Sequence, residues 1–269
     1  MDLVKRTATA VLLLGTLFVI IQYAPRIVFF LIGQAFIAGA LIEFYALTGK
    51  KDLRPNKTLG LVLGLFVGAS FYFASVPLEA ALAAGLVAAG VHYVATVNTA
   101  EKLARFPAAF AVTALGVVYV VFPLNFLYQI RVDMGPFYLY YLAAVVFLGD
   151  TGAFFIGKPF GRHKMTPLAS PNKSWEGSAG GILFALGGAA LARSVLKLDV
   201  PLGTALLTAI VVHAAAQVSD PLESLFKRAV GVKDSSNALP GHGGFLDRFD
   251  SIIFVSPFLW ALFYYGGGM

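Results

Sequence analysis

Nine stretches of this chain are so apolar, and so close to twenty residues long, that an ordinary water-soluble fold is ruled out. They fall at about 7–23, 27–48, 58–75, 77–96, 106–124, 136–156, 177–196, 201–219 and 251–267. A bilayer crossing needs roughly 20 mostly apolar residues, and it must be helical because lipid offers the backbone no hydrogen bonds. Of 269 residues, 58% are hydrophobic and 13% charged, too few polar side chains to coat a soluble surface. The chain therefore reads as an all-α polytopic membrane protein, one integral domain over 1–269. Residues 1–130 read mainly as a helical scaffold, and 136–269 as the helices and polar loops that carry chemistry. Cysteine is absent, which excludes disulfides and thiolate metal sites.

Prolines punctuate the pattern. Pro25, Pro55, Pro107, Pro136 and Pro201 fall at or beside the expected boundaries, where a missing N–H costs little. The break at Pro77 is the least marked. The first apolar run follows Lys5 and Arg6, as in a signal peptide, but it lacks a small-residue cleavage site and reads as a retained helix.

Basic residues set the orientation. With the N-terminus in the cytosol, the cytosolic segments hold Lys5, Arg6, Lys50, Lys51, Arg54, Lys57, Lys102, Arg105, Lys158, Arg162, Lys164, Lys173, Lys227, Arg228, Lys233 and Arg248. Arg26, Arg131, Arg193 and Lys197 fall on the other face. Such a split of sixteen to four supports the nine spans and the orientation together. Both long polar loops, 157–176 and 220–250, then face the cytosol, and the C-terminus faces outward. The net charge of +6 reads as this topology and as attraction to anionic lipid heads. Nucleic acid is not the expected partner, because the basic residues lie in short loops beside spans.

The polar chemistry is concentrated after the eighth span. In Asp220-Pro221-Leu222-Glu223, Asp at a cap, Pro at the first helical position and Glu at the third predict a helix start. Leu222, Leu225, Phe226 and Ala229 then share one face, Asp220, Ser224, Lys227 and Arg228 the other, and Gly231 ends the helix. The expectation is a short amphipathic helix near 221–230, its apolar face against the bundle at the membrane surface. Capping by Asp220 and snorkelling by Lys227 and Arg228 would explain that segment alone.

Pro240-Gly241-His242-Gly243-Gly244 is a turn whose N–H groups can approach an anion. Asp247 and Asp250, three apart, would face the same way on a helical turn. A hard cation such as Mg²⁺ takes one or two carboxylates plus waters and phosphate oxygens. The alternative is a carboxylate pair favouring the helix dipole. His242 reads as an orienting hydrogen-bonder rather than a base.

The loop 157–176 supplies Lys158, Arg162, His163, Lys164, Lys173, Ser174 and Glu176 among glycines, suited to an anionic ligand but without Walker A spacing. Asp150, near the cytosolic end of the sixth span, and more weakly Glu43 in the second, are functional candidates as ionisable residues within spans. His92 and His213 read as polar residues satisfied between helices, and Gly177 with Gly181 as a close-packing face.

From Ser224 to Asp250 the chain resembles the signature of the phosphatidate cytidylyltransferases, the CDP-diacylglycerol synthases. Ser224, Lys227-Arg228, Lys233-Asp234, Ser236, Leu239-Pro240, His242-Gly243-Gly244, Asp247-Arg248 and Asp250 occupy every position of that pattern without a gap. Asp150-Thr151 and Ser170 to Gly177 are similar to the family's second polar region, and size and layout fit a bacterial member. The resemblance implies transfer of CMP from CTP to phosphatidic acid, releasing pyrophosphate, in the bacterial cytoplasmic (inner) membrane. A phosphomonoester nucleophile, with a second pKa of about 6, is largely ionised at neutral pH and needs no strong base. It needs charge neutralisation by metal and fixed cations. On this likeness Asp220 joins Asp247 and Asp250 as Mg²⁺ ligands, with room for a second metal ion. Lys227 and Arg228 would hold phosphatidate or the α-phosphate. Lys173, Ser174 and His242-Gly243-Gly244 would hold the CTP phosphates. Asp150, Glu176, Ser224, Lys233, Asp234 and Arg248 complete the expected substrate-binding set. Membrane lipids are expected partners, and a homodimer is compatible with the sequence.

Two other functions fit parts of the pattern. A CTP-dependent polyprenol-type lipid kinase would need a base to activate a hydroxyl. An ion-coupled transporter using Asp150 and Asp220 would show broken helices in both halves, whereas the polar chemistry here lies in the second half. The topology is testable with single cysteines and an impermeant reagent on intact cells. Positions 172 and 236 should be shielded and a position near Gly267 labelled; labelling at 172 from outside would overturn the nine-span layout.

Overall fold

Apolar length sets the architecture. The computed structural model describes residues 15–73, 75–236, 238 and 243–266. After a helical segment at 15–23 come α1 (Arg26–Gly49), α2 (Lys57–Tyr72), α3 (Leu78–Thr96), α4 (Ala100–Asp133), α5 (Pro136–Phe160), α6 (Trp175–Val195) and α7 (Leu202–Ala229). A single turn, α8 (Leu246–Phe249), and α9 (Val255–Tyr265) follow. Between α5 and α6 lies an antiparallel hairpin of β1 (Lys164–Thr166) and β2 (Ser170–Ser174), pairing Lys164 with Ser174 and Thr166 with Ser170. The fold is thus nearly, but not wholly, α-helical.

Among the described residues six helices, α1 and α3 to α7, are long and apolar enough to cross a membrane. Nine were expected. The helices α2 and α9, of 16 and 11 residues, are apolar but shorter, and the first expected span lies partly outside the described residues. Several boundaries follow capping chemistry. Asn56 accepts from the Leu59 N–H, Thr99 from Lys102 and Ser174 from Gly177, each at a helix start. Pro77 and Pro201 directly precede helices as expected. Pro107 does not mark a start: Thr99 caps α4 earlier and leaves the proline inside the helix. That helix also runs past its expected end, 34 residues in all, through a π-helical turn at Val117–Val121.

The larger correction is α7. No new helix begins at Asp220; α7 continues through Pro221 to Ala229. Its inner face there is mixed: Leu222 and Phe226 pack on the apolar core, as expected, but polar residues are buried with them. Glu223, Ser224 and Lys227 are buried, while Leu225, Arg228 and Ala229 are exposed. Tertiary partners explain the unbroken helix and its buried charges, because local capping preference is a weak force beside buried charges that find one another.

Glycines let the helices touch. A Cβ on Gly177 would lie 2.9 Å from the Ala153 carbonyl and 3.1 Å from the Gly157 Cα, and one on Gly181 would meet His213 and the Gly149 carbonyl. The predicted small-residue face therefore packs α6 on α5. The Tyr45 ring is similarly held between Gly60 and Gly116, its hydroxyl donating to the Thr113 carbonyl at 2.6 Å. One core gathers α5, α6, α7 and α9 around Tyr141, Val145, Val212 and Phe263. A second gathers α1 and α4 around Phe44, Val120 and Leu124, and it takes in Leu246 and Ile253 from the far end of the chain. Gly177→Val should force α5 and α6 apart. A loss of about 1–3 kcal/mol is expected from overpacking against backbone atoms, read as a lowered thermal midpoint in detergent.

Candidate active site

The site begins with a carboxylate inside the bundle. Glu43 on α1 is 6% exposed. Its oxygens accept from the Ser236 hydroxyl at 2.6 Å, the Leu246 N–H at 2.9 Å and the Phe245 N–H at 3.0 Å. The Ser235 hydroxyl lies between two carboxylates, 2.9 Å from Glu43 and 3.0 Å from Asp247. Both flanks of the glycine turn thus meet on one side chain. Gly244 is needed here, since a Cβ would fall on the Ser235 hydroxyl and on Glu43, and Gly243 takes a left-handed φ of 76°. His242 lies outside the described residues.

Asp247 completes the same knot. It accepts from the Gly244 N–H at 2.8 Å, the Ser235 N–H at 3.0 Å and the Lys227 ammonium at 2.9 Å. Burial pushes its carboxyl up, but Lys227 and the two N–H groups outweigh burial and hold it below the usual carboxylate range. Lys227 also pairs with Glu223, four residues before it and fully buried. The ammonium expected to hold a substrate phosphate is therefore engaged by two buried carboxylates.

A second group lies beside the first. Lys173 on β2 pairs with Asp220 on α7 at 2.5 Å, both partly exposed. Asp220 also faces the Ser224 hydroxyl at 3.4 Å. Asp150 and Asp250 lie near enough to feel the charge of Asp220. Burial first, and Asp220 second, push the Asp250 carboxyl up to about 6. One Asp250 oxygen accepts from the Ser251 N–H at 2.6 Å, and the Ser219 hydroxyl holds its backbone carbonyl.

The expected grouping of Asp220, Asp247 and Asp250 is not assembled. Among the described residues no three acids or histidines stand close enough to share one ion directly. Around the single turn of α8 the Asp247 side chain turns to Lys227 and Ser235, and Asp250 turns to Ser251 and Asp220. Ser174 and Glu176 also have local duties. Ser174 is buried as the cap of α6. Glu176 accepts from the Arg162 N–H at 3.1 Å, the His163 N–H at 3.2 Å and the His163 ring, closing the hairpin. Arg228 donates to the Val232 carbonyl at 2.9 Å, and Lys233, Asp234 and Arg248 are exposed.

Three buried polar residues escaped the sequence reading. Glu223 was treated as a helix-start residue, although its spacing to Lys227 is that of a helical ion pair. Tyr119, on the π-turn, is 5% exposed with a hydroxyl that has no partner among the described residues, and it lies within the field of Glu223, Asp250 and Asp220. A π-turn often marks a functional position, but no residue pattern announces one. His213 was expected to be satisfied; it is wholly buried against Gly149 and Gly181 with neither ring nitrogen partnered among the described residues. His92 does find a partner, Asn56 at 2.7 Å.

Chemically, this is a set of carboxylates and one ammonium open to solvent, backed by a knot of buried charges, at the ends of spanning helices. It suits the binding of phosphates and a hard cation. The sequence model of the cytidylyltransferase family matches residues 4–265. A phosphatidate cytidylyltransferase of Bacillus subtilis is 43% identical over 150 residues, 55% of this chain and 56% of that protein. Proteins of the same name from Staphylococcus saprophyticus and Staphylococcus haemolyticus are 39% and 40% identical over 164 residues, 61% of this chain and 62% of each. The chain thus spans between 56% and 62% of the length of these relatives.

Glu43→Ala should leave the donors on Ser236, Phe245 and Leu246 without an acceptor, while Ser235 keeps Asp247, at about 1–3 kcal/mol for each group that water does not rescue. Faster hydrogen exchange at the Phe245 and Leu246 amides is expected, with a lower thermal midpoint. Unchanged exchange at both would remove Glu43 from this role.

Proposed function

We propose that this chain, which belongs to the cytidylyltransferase family, transfers CMP from CTP to phosphatidic acid, giving CDP-diacylglycerol and pyrophosphate for phospholipid biosynthesis. The observation that carries the proposal is the convergence of Lys173 and Asp220, with Asp150 and Asp250 beside them, next to the knotted motif loop. The names of the relatives support the same reaction.

The residues divide by role. Lys173, Arg228, Lys233 and Arg248 are cations near the site within reach of solvent, and they would steer and hold phosphates. Lys227 and Asp247 would keep the loop in shape rather than touch the reacting atoms. The phosphatidate monoester attacks as an anion, so the chain has to place it and offset charge, not deprotonate it. Asp220 and Asp250 fit Mg²⁺, with Asp150 near: two crowded carboxylates, one pushed up by burial and then by the other's charge, are relieved by a cation. When bound, the ion would neutralise charge on the CTP phosphates. The same reading places the protein in the bacterial cytoplasmic membrane with nine crossings and both polar loops in the cytosol, supported by the distribution of basic residues.

Purified protein with phosphatidic acid, Mg²⁺ and labelled CTP tests the reaction. Label at the α-phosphorus should enter the lipid, and γ-label should leave in pyrophosphate. Gamma-label in the lipid fraction would mean a CTP-dependent lipid kinase and would refute the proposal. Asp250→Asn should lower turnover by orders of magnitude while the thermal midpoint holds, because the change removes a charge and leaves packing intact. Near-normal turnover would take Asp250 out of the reaction.

A further inference from the structure

The hairpin between α5 and α6 carries an apolar tip left uncovered by the described chain. Its turn is Pro167-Leu168-Ala169, with Ala169 buried and Leu168 86% exposed. A single exposed leucine needs no explanation by itself; its surroundings supply one. Phe154, Phe155 and Phe160 on α5 and Trp175, the first residue of α6, are all at least 60% exposed. The Lys158 ammonium lies over the Phe154 ring, 5.5 Å from its centroid. A lysine whose ammonium lies over an exposed aromatic at a helix end marks the edge of the hydrocarbon. Tryptophan at a helix end marks the same level. The hairpin thus leaves and re-enters the bundle at the membrane surface.

Its charge points the same way. Arg162 and Lys164 are exposed at its base, and no acidic residue occurs between Lys158 and Trp175. Glu176, the nearest acid in sequence, is spent on the Arg162 and His163 N–H groups. Lys173, at the other end of the hairpin, turns inward to Asp220.

We propose that the hairpin is seated in the headgroup layer of an anionic lipid surface, Leu168 among the upper acyl carbons and Arg162 and Lys164 on lipid phosphates. Lipid then holds one side of the hairpin and Asp220 holds the other, through Lys173. The inference rests on the membrane-spanning reading and not on the reaction.

The chain has no cysteine, so Leu168→Cys can carry a nitroxide spin label with no other change. In vesicles of phosphatidylcholine mixed with phosphatidylglycerol, without nucleotide, the label at 168 should collide more with oxygen than with a water-soluble nickel chelate. A label on Lys51→Cys, in the loop after α1, should do the reverse. Arg162→Gln with Lys164→Gln should move the 168 label toward water, its seating constant falling roughly fivefold per charge. Pure phosphatidylcholine should act in the same direction. Nickel collisions exceeding oxygen collisions at 168 in both lipids would overturn the proposal. So would dipolar broadening lost at one copy per nanodisc, which would make the tip a contact between copies. Turnover plays no part, so this result and the fate of the proposed reaction are separable.

Discussion

A carboxylate buried on the second helical segment of a membrane protein is costly unless donors surround it. Glu43 is surrounded, and every donor comes from Ser235, Ser236, Phe245 or Leu246. The rest of the site depends on this contact. It closes the motif loop at its neck, sets Gly244 against Asp247, and through Asp247 and Lys227 reaches Glu223. Phe245 and Leu246 pack on the scaffold helices as a result, so the loop is anchored by apolar surface and by hydrogen bonds together.

The division of labour among the charges follows from burial. Glu223, Asp247 and Lys227 are withdrawn from solvent, and the one ammonium pairs with both carboxylates. Breaking such a cluster by removing one member leaves a buried charge without compensation, a cost of about 3–5 kcal/mol. Asp220 and Lys173 pair with one another but stay partly exposed. Sequence-adjacent residues therefore serve different ends: Asp247 and Asp250 are three apart, yet one holds the protein together and the other faces the open cluster.

Much of this was legible in the residues. Apolar runs and bounding prolines located the long helices, because lipid leaves a crossing segment few alternatives. The glycine face of α6 was readable because close packing needs small residues wherever the helix sits. The motif located the polar loop. What could not be read were choices decided by distant partners. Pro221 looked like a helix start, and only the inward pairing of Glu223 and Lys227 explains why α7 runs through it. Asp247 looked like a metal ligand, and only Lys227, Ser235 and Gly244 show where its oxygens point. Tyr119 depends on a π-turn, whose single extra residue per turn leaves no trace in hydrophobic periodicity.

The Glu43 contact also has a consequence in time. Ser235 lies 192 residues beyond Glu43, and Leu246 lies 203 beyond it. At about 5–20 residues per second, a ribosome needs roughly 10–40 s to deliver those donors after the acid has been made. Throughout that interval the nascent chain holds a carboxylate on an apolar helix with its final partners still unsynthesised. A chain truncated before Ser235 lacks all four of those donors and remains marked by an unsatisfied acid.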